Sequence, residues 1–214
     1  MRTRLPPTKK SRSLLDLSAL KEATFVVLSI GLFLVLVGLF FPFFYLPTFT
    51  SIVLHASEKT DFYMLSIINA TSVLGRIIPG LIADRVGALN MMVSCGLGAT
   101  ILAFTWLGIR SVAGAAIFAA FFGLCSGAIV SLPVTIVAGL SPHMGVVGTR
   151  VGMSYSFAGV GMLIGNPIAG SLVDLETGEF WKGQLFSTAL MLAASLCFIW
   201  VRILQARQGK GWKV

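Results

Sequence analysis

The chain has 214 residues, 56% hydrophobic and 11% charged, with a net charge of +8 and a mean hydropathy of +0.91. Soluble domains carry about 25% charged residues, so this chain has too few to cover a water-facing surface, and lipid must replace water over most of it. The positive charge sits in tails and short loops between apolar runs, where it orients a chain in a membrane; no nucleic-acid partner is expected.

Residues 1–22 are polar and basic, with Pro6-Pro7 and Lys9-Lys10, and read as a cytoplasmic segment. This lead is too long for a signal-peptide core and lacks a small-residue cleavage site, so the first apolar run is expected to be a retained span. Residues 23–204 form one transmembrane domain with six apolar runs at about 23–46, 62–83, 89–109, 112–139, 151–173 and 184–204. Each has the roughly 20 residues that carry a helix across about 30 Å of hydrocarbon. Turn residues separate them: Pro47 after the first, Asp84 to Gly87 after the second, a tight hairpin at Gly108 to Ser111, and Ser141-Pro142 after the fourth. Residues 205–214 form a second cytoplasmic tail. The fold class is therefore all-α, a six-span transmembrane helix bundle.

With the N-terminus inside, the inner segments hold 12 Lys and Arg residues and the outer loops three (Lys59, Arg110 and Lys182), leaving Arg76 aside. That bias places both termini in the cytoplasm. The plasma membrane is the expected location. Gly123 and Gly127, Gly148 and Gly152, and Gly161 and Gly165 are each four residues apart, the spacing that lets backbones touch in lipid. Pro42, Pro47, Pro79, Pro133 and Pro167 lie in or near spans, where a broken hydrogen-bond ladder survives only beside protein or a cavity. Cys95, Cys125 and Cys197 lie inside apolar runs without metal-type spacing and read as packing residues.

Arg76 carries the most chemical information. A guanidinium about 12 Å inside a span is costly unless it meets a partner or water. Its planar fork suits a carboxylate. Two readings stand: it binds an anionic cargo, or it snorkels to the inner headgroups and ties helices together. Asn69, Tyr45, Tyr155 and Asn166 are neutral polar candidates for a substrate pocket, each equally suited to interhelical hydrogen bonding. Asn69-Ala70-Thr71 spells a glycosylation acceptor but lies inside a span, so it should be unused. No nucleophile–base or metal constellation appears, so neither an enzyme nor a cofactor is expected.

After Arg76 and Pro79 comes Gly80-Leu81-Ile82-Ala83-Asp84-Arg85-Val86-Gly87. This segment resembles the loop signature of the major facilitator superfamily, between the second and third helices of each six-helix half. The resemblance implies a gate in which Asp84 pairs with Arg150 at the inner end of the fifth span, with Gly80, Arg85 and Gly87 shaping the turn. Ala88-Leu89 stands where a basic residue usually follows. More specifically, the chain is similar to the C-terminal half of fungal monocarboxylate-type permeases. That likeness rests on Leu15-Asp16-Leu17-Ser18, Gly38-Leu39-Phe40-Phe41-Pro42-Phe43, Gly75-Arg76-Ile77-Ile78-Pro79-Gly80, Gly148-Thr149-Arg150-Val151-Gly152-Met153 and Leu163-Ile164-Gly165-Asn166-Pro167-Ile168-Ala169-Gly170.

In the animal monocarboxylate transporters an Arg in the equivalent helix binds the substrate carboxylate, and Arg76 matches it. Those relatives carry Asp one turn earlier, where this chain has Ser72, and no Asp, Glu or Lys lies deep within any span to serve as a proton relay. The resemblance implies a transporter, or a truncated transporter half, moving small organic anions by alternating access, with proton symport as the family coupling. The alternatives are efflux of a fungal secondary metabolite and a non-transporting membrane partner. Such transporters have two six-helix halves with the substrate between them, so homodimerisation, a separate N-terminal half or simple truncation would account for a single half.

Overall fold

A computed structural model describes residues 15–208. Arg2, Arg4, Lys9, Lys10 and Arg12 at one end and Lys210 and Lys213 at the other, all counted above for orientation, lie outside the described residues. After a single 3-10 turn at Ala19–Lys21, the helices are α1 (Ala23–Leu39), α2 (Phe41–Ile52), α3 (Glu58–Val86), α4 (Ala88–Trp106), α5 (Val112–Leu140), α6 (Met144–Ser171) and α7 (Trp181–Arg207).

The first span is two rods, α1 and α2, joined at Phe40. Pro42 has no N–H to give the carbonyl four residues back, that of Gly38. The Ser187 hydroxyl of α7 donates to that carbonyl at 2.6 Å, so the break is satisfied by a neighbouring helix. Pro47 lies inside α2 rather than after it, and helix continues to Ile52. Taken together, α1 and α2 make one 30-residue stretch apolar enough to cross a membrane, as are α3, α4, α5 and α7. The sixth rod, α6, has 28 residues, about 42 Å at 1.5 Å each. Its glycines, among them Gly148, Gly152, Gly161 and Gly165, dilute its apolar character. The chain is an integral, multi-pass membrane protein.

Packing sets the layout. α1 lies against α6 and α7, α5 against α3 and α4, and α4 against α7. Thus α4 and α7 close the back, α1 and α5 stand in the middle, and α3 and α6 flank them. Helices in lipid gain little from apolar contact as such, so close backbone approach carries the association. A Cβ at Gly127 would overlap the Ser72 carbonyl of α3, one at Gly123 the Ile68 carbonyl, and one at Gly75 the Leu124 carbonyl of α5. Gly165 is equally tight against Val37 of α1, and a Cβ at Gly161 would stand 2.7 Å from the Phe33 carbonyl. By contrast Gly148 and Gly152 face open space: no atom lies within 4 Å of a Cβ built at either.

The front is open. Only 22% of the apolar window of α3 is buried within the chain, and Val73, Ile77 and Leu81 form an exposed stripe on it at four-residue spacing. Val160, Ile164 and Ile168 do the same on α6. Toward the far end, Phe41, Phe49, Trp106, Phe118, Phe122 and Phe180 stack, tilt or meet edge to face with centroids 5.3–5.8 Å apart, closing that pole with aromatic packing.

Candidate functional site

Arg76 sits ten residues before the end of α3, about 15 Å along the helix. It lines a cleft of about 110 Å³ between α3, α5 and the α1–α2 joint. Leu39, Phe40, Phe43 and Val130 form its apolar walls, while Asn69, Ser72 and Ser126 add polar atoms. The serines already donate within their helices, Ser72 to the Asn69 carbonyl at 2.7 Å and Ser126 to the Gly123 carbonyl at 2.9 Å. The Asn69 amide nitrogen likewise donates to the Leu65 carbonyl at 2.8 Å. The Arg76 side chain is exposed, and no hydrogen bond or ion pair to its guanidinium is found among the described residues.

The other polar candidates are dispersed. Tyr155 donates its hydroxyl to the Val130 carbonyl at 2.9 Å, tying α6 to α5 beside Pro133. Tyr45 stacks on Phe41, and its hydroxyl occupies the space a Cβ at Gly170 would need, so it fits α2 against α6. The Asn166 side-chain oxygen is buried without a hydrogen-bond partner, outside the Arg76 cleft. Of the five predicted substrate residues, the structure brings Arg76 and Asn69 together in one cleft.

The expected Asp84–Arg150 pair is not formed. Arg150 is 0% exposed and is satisfied by acids that precede α1: Nε donates to Asp16 at 2.8 Å, and Nη1 and Nη2 reach the two carboxylate oxygens of Glu22 at 2.9 and 2.6 Å. A fully desolvated guanidinium needs its donors filled, and the fork of Glu22 matches it better than a distant loop acid. Phe25 lies beneath the cation, 5.8 Å from its centroid. Asp16 also accepts from the hydroxyl and backbone N–H of Ser18. Ser18 first and Arg150 next hold the Asp16 carboxyl down at about 2.

No protein-family model matches the chain. Among curated proteins, an aspyridones efflux protein of Emericella nidulans is 34% identical over the whole of this chain and 43% of its own length. An agnestins efflux protein of Paecilomyces divaricatus is 36% identical, over 88% of this chain and 42% of its own length. An MFS-type transporter of Gibberella moniliformis is 32% identical, over all of this chain and 51% of its own. The chain is homologous to MFS-type transporters. It spans about half the length of the curated relatives it matches.

The segment from Gly80 to Gly87 keeps the expected turn, without the expected ion pair. Gly87 joins α3 to α4 at φ 94°, a conformation that favours glycine. Gly80, Asp84 and Gly87 line a cavity of about 390 Å³ with Gln205 of α7, and Arg85 is exposed beside it. The residues that sequence reasoning missed are Asp16 and Glu22, assigned to a polar tail. Arg150 reads in sequence as a residue at the end of an apolar run, where water can serve it, so nothing pointed to these two acids as its partners.

Proposed function

We propose that the chain is the C-terminal six-helix half of an alternating-access carrier for small organic anions, with Arg76 as the anion receptor. One observation carries the reading: a guanidinium about 15 Å inside a spanning helix, in a partly apolar cleft, with no partner among the described side chains. An anion receptor gains from the low polarity of the aromatic walls, which strengthens each charge-assisted hydrogen bond. Both termini face the cytoplasm in this reading, the plasma membrane is the site, and proton coupling rests with the other half, since no acid lines the cleft.

The gating role narrows to Gly80, Asp84, Arg85 and Gly87, with Asp84 left exposed to meet the opposing half, while Arg150 holds the start of α6 in place. Flux of labelled lactate into vesicles tests the reading: Arg76→Ala abolishes it and Arg76→Lys retains a fraction, because an ammonium keeps the charge without the fork. Equal flux with Arg76→Ala removes Arg76 from the mechanism.

A second reading, efflux of a fungal secondary metabolite, is favoured by the likeness to the aspyridones and agnestins efflux proteins. Retention of such a metabolite in cells lacking the chain tests it.

A further inference from the structure

A second cleft of about 210 Å³ opens directly beside the Arg76 cleft, and Phe40 and Val130 line both. Leu32, Leu36, Ile129, Pro133, Ala158 and Met162 make its surface hydrocarbon. Its one phenolic hydroxyl, that of Tyr155, is already given to the Val130 carbonyl. The second cleft thus offers an anion no free side-chain donor, while the first offers the charge of Arg76. We propose that the two clefts form one bipartite site for an amphiphilic organic anion, with the anionic head on Arg76 and an aromatic or branched aliphatic body between α1, α5 and α6.

The proposal rests on the anion-receptor reading of Arg76 and adds the class of cargo. A two-carbon acid fills only the smaller cleft and leaves the larger one without an occupant. An acid with a fused-ring body places hydrocarbon against hydrocarbon, and that burial adds affinity without any new polar contact. The Phe40–Val130 ridge sets the distance between head and body. Because Phe40 is also the joint between α1 and α2, the body of the cargo lies against the one place where the first span is broken.

The test measures binding of naphthalene-2-carboxylate and acetate to the 214-residue chain in lipid nanodiscs, with empty discs subtracted. The native chain is expected to bind the naphthoate at least about tenfold more tightly than acetate. Gly159→Leu and Met162→Trp each fill the second cleft. Gly159 lines it, and a Cβ there meets no atom within 4 Å, so a leucine enters open space without displacing backbone. Either variant should bring naphthoate down to the acetate level and leave acetate unchanged.

Equal affinity of the two anions for the native chain, or a naphthoate preference that survives both variants, overturns the second subsite and leaves Arg76 as a receptor of small anions. Unchanged binding of both anions in Arg76→Ala, or no saturable binding of either to the native chain, overturns the receptor reading itself. Retained helicity and monodisperse elution certify each variant, and the native preference decides the matter even where a variant fails to assemble.

Discussion

At the start of α6 one guanidinium satisfies two carboxylates that lie 134 and 128 residues earlier in the chain. Arg150 is buried while Glu22 is 42% exposed, so the loss is greatest when the acids go and the guanidinium is left unpaired. Asp16→Asn combined with Glu22→Gln strands the buried guanidinium and should lower the thermal unfolding midpoint more than Arg150→Met, which leaves two carboxylates nearer water; the reverse order would show that the clasp contributes little. The acid response follows from Asp16. Its carboxyl is depressed to about 2 in the folded chain, against 3.8 ordinarily. Its contribution is therefore fully present above about pH 4 and is lost as pH falls toward 2. Asp16→Asn should flatten the unfolding midpoint across that window, and an unchanged slope would count against the pairing. None of this was legible in the sequence, because an ion pair across so many residues leaves no spacing to read. Arg76 was legible, since a charge deep in an apolar run stands out against hydrocarbon whatever surrounds it.

For the helices, run length and turn residues were enough to place most of the rods, but not to say which glycines pack. All three four-residue glycine pairs look alike in sequence. The structure separates them: Gly123 with Gly127 and Gly161 with Gly165 touch backbone, whereas Gly148 and Gly152 face outward. What decides is the neighbour, and the neighbour depends on helix rotation. Gly127→Val should force α3 from α5 and cost about 1–3 kcal/mol or more, since the obstructing atom is a backbone carbonyl. Gly152→Ala should leave the fold intact. Thermal denaturation of both in the same detergent checks the contrast; equal destabilisation would mean that α3 and α5 are not packed this closely. Pro42 marks the break in the first span, yet only the structure supplies Ser187 as the group that takes the freed carbonyl.

On the scale of the whole molecule, an apolar stripe on α3 and another on α6 flank the two clefts, and this face has no partner among the described residues. The chain spans 43% of one efflux relative and 51% of another transporter. In the proposed reading a second six-helix body covers this face. Cysteines placed at Val73 and Leu163, 53% and 75% exposed, in a background lacking the three native cysteines, should cross-link in native membranes to a polypeptide of similar mass. Absence of any adduct at both positions would leave the face to lipid alone.

The joint at Phe40 has a mechanical consequence. α2 is 12 residues long, a lever of about 18 Å. Pivoting it by about 10° would sweep its far end through roughly 3 Å at this rise per residue while α1 stays seated against α6 and α7. Leu39, Phe40 and Phe43 are at once the fulcrum and the cleft wall. Swinging the lever and reshaping the mouth of the cleft are then a single movement, and whatever occupies the cleft sets its angle.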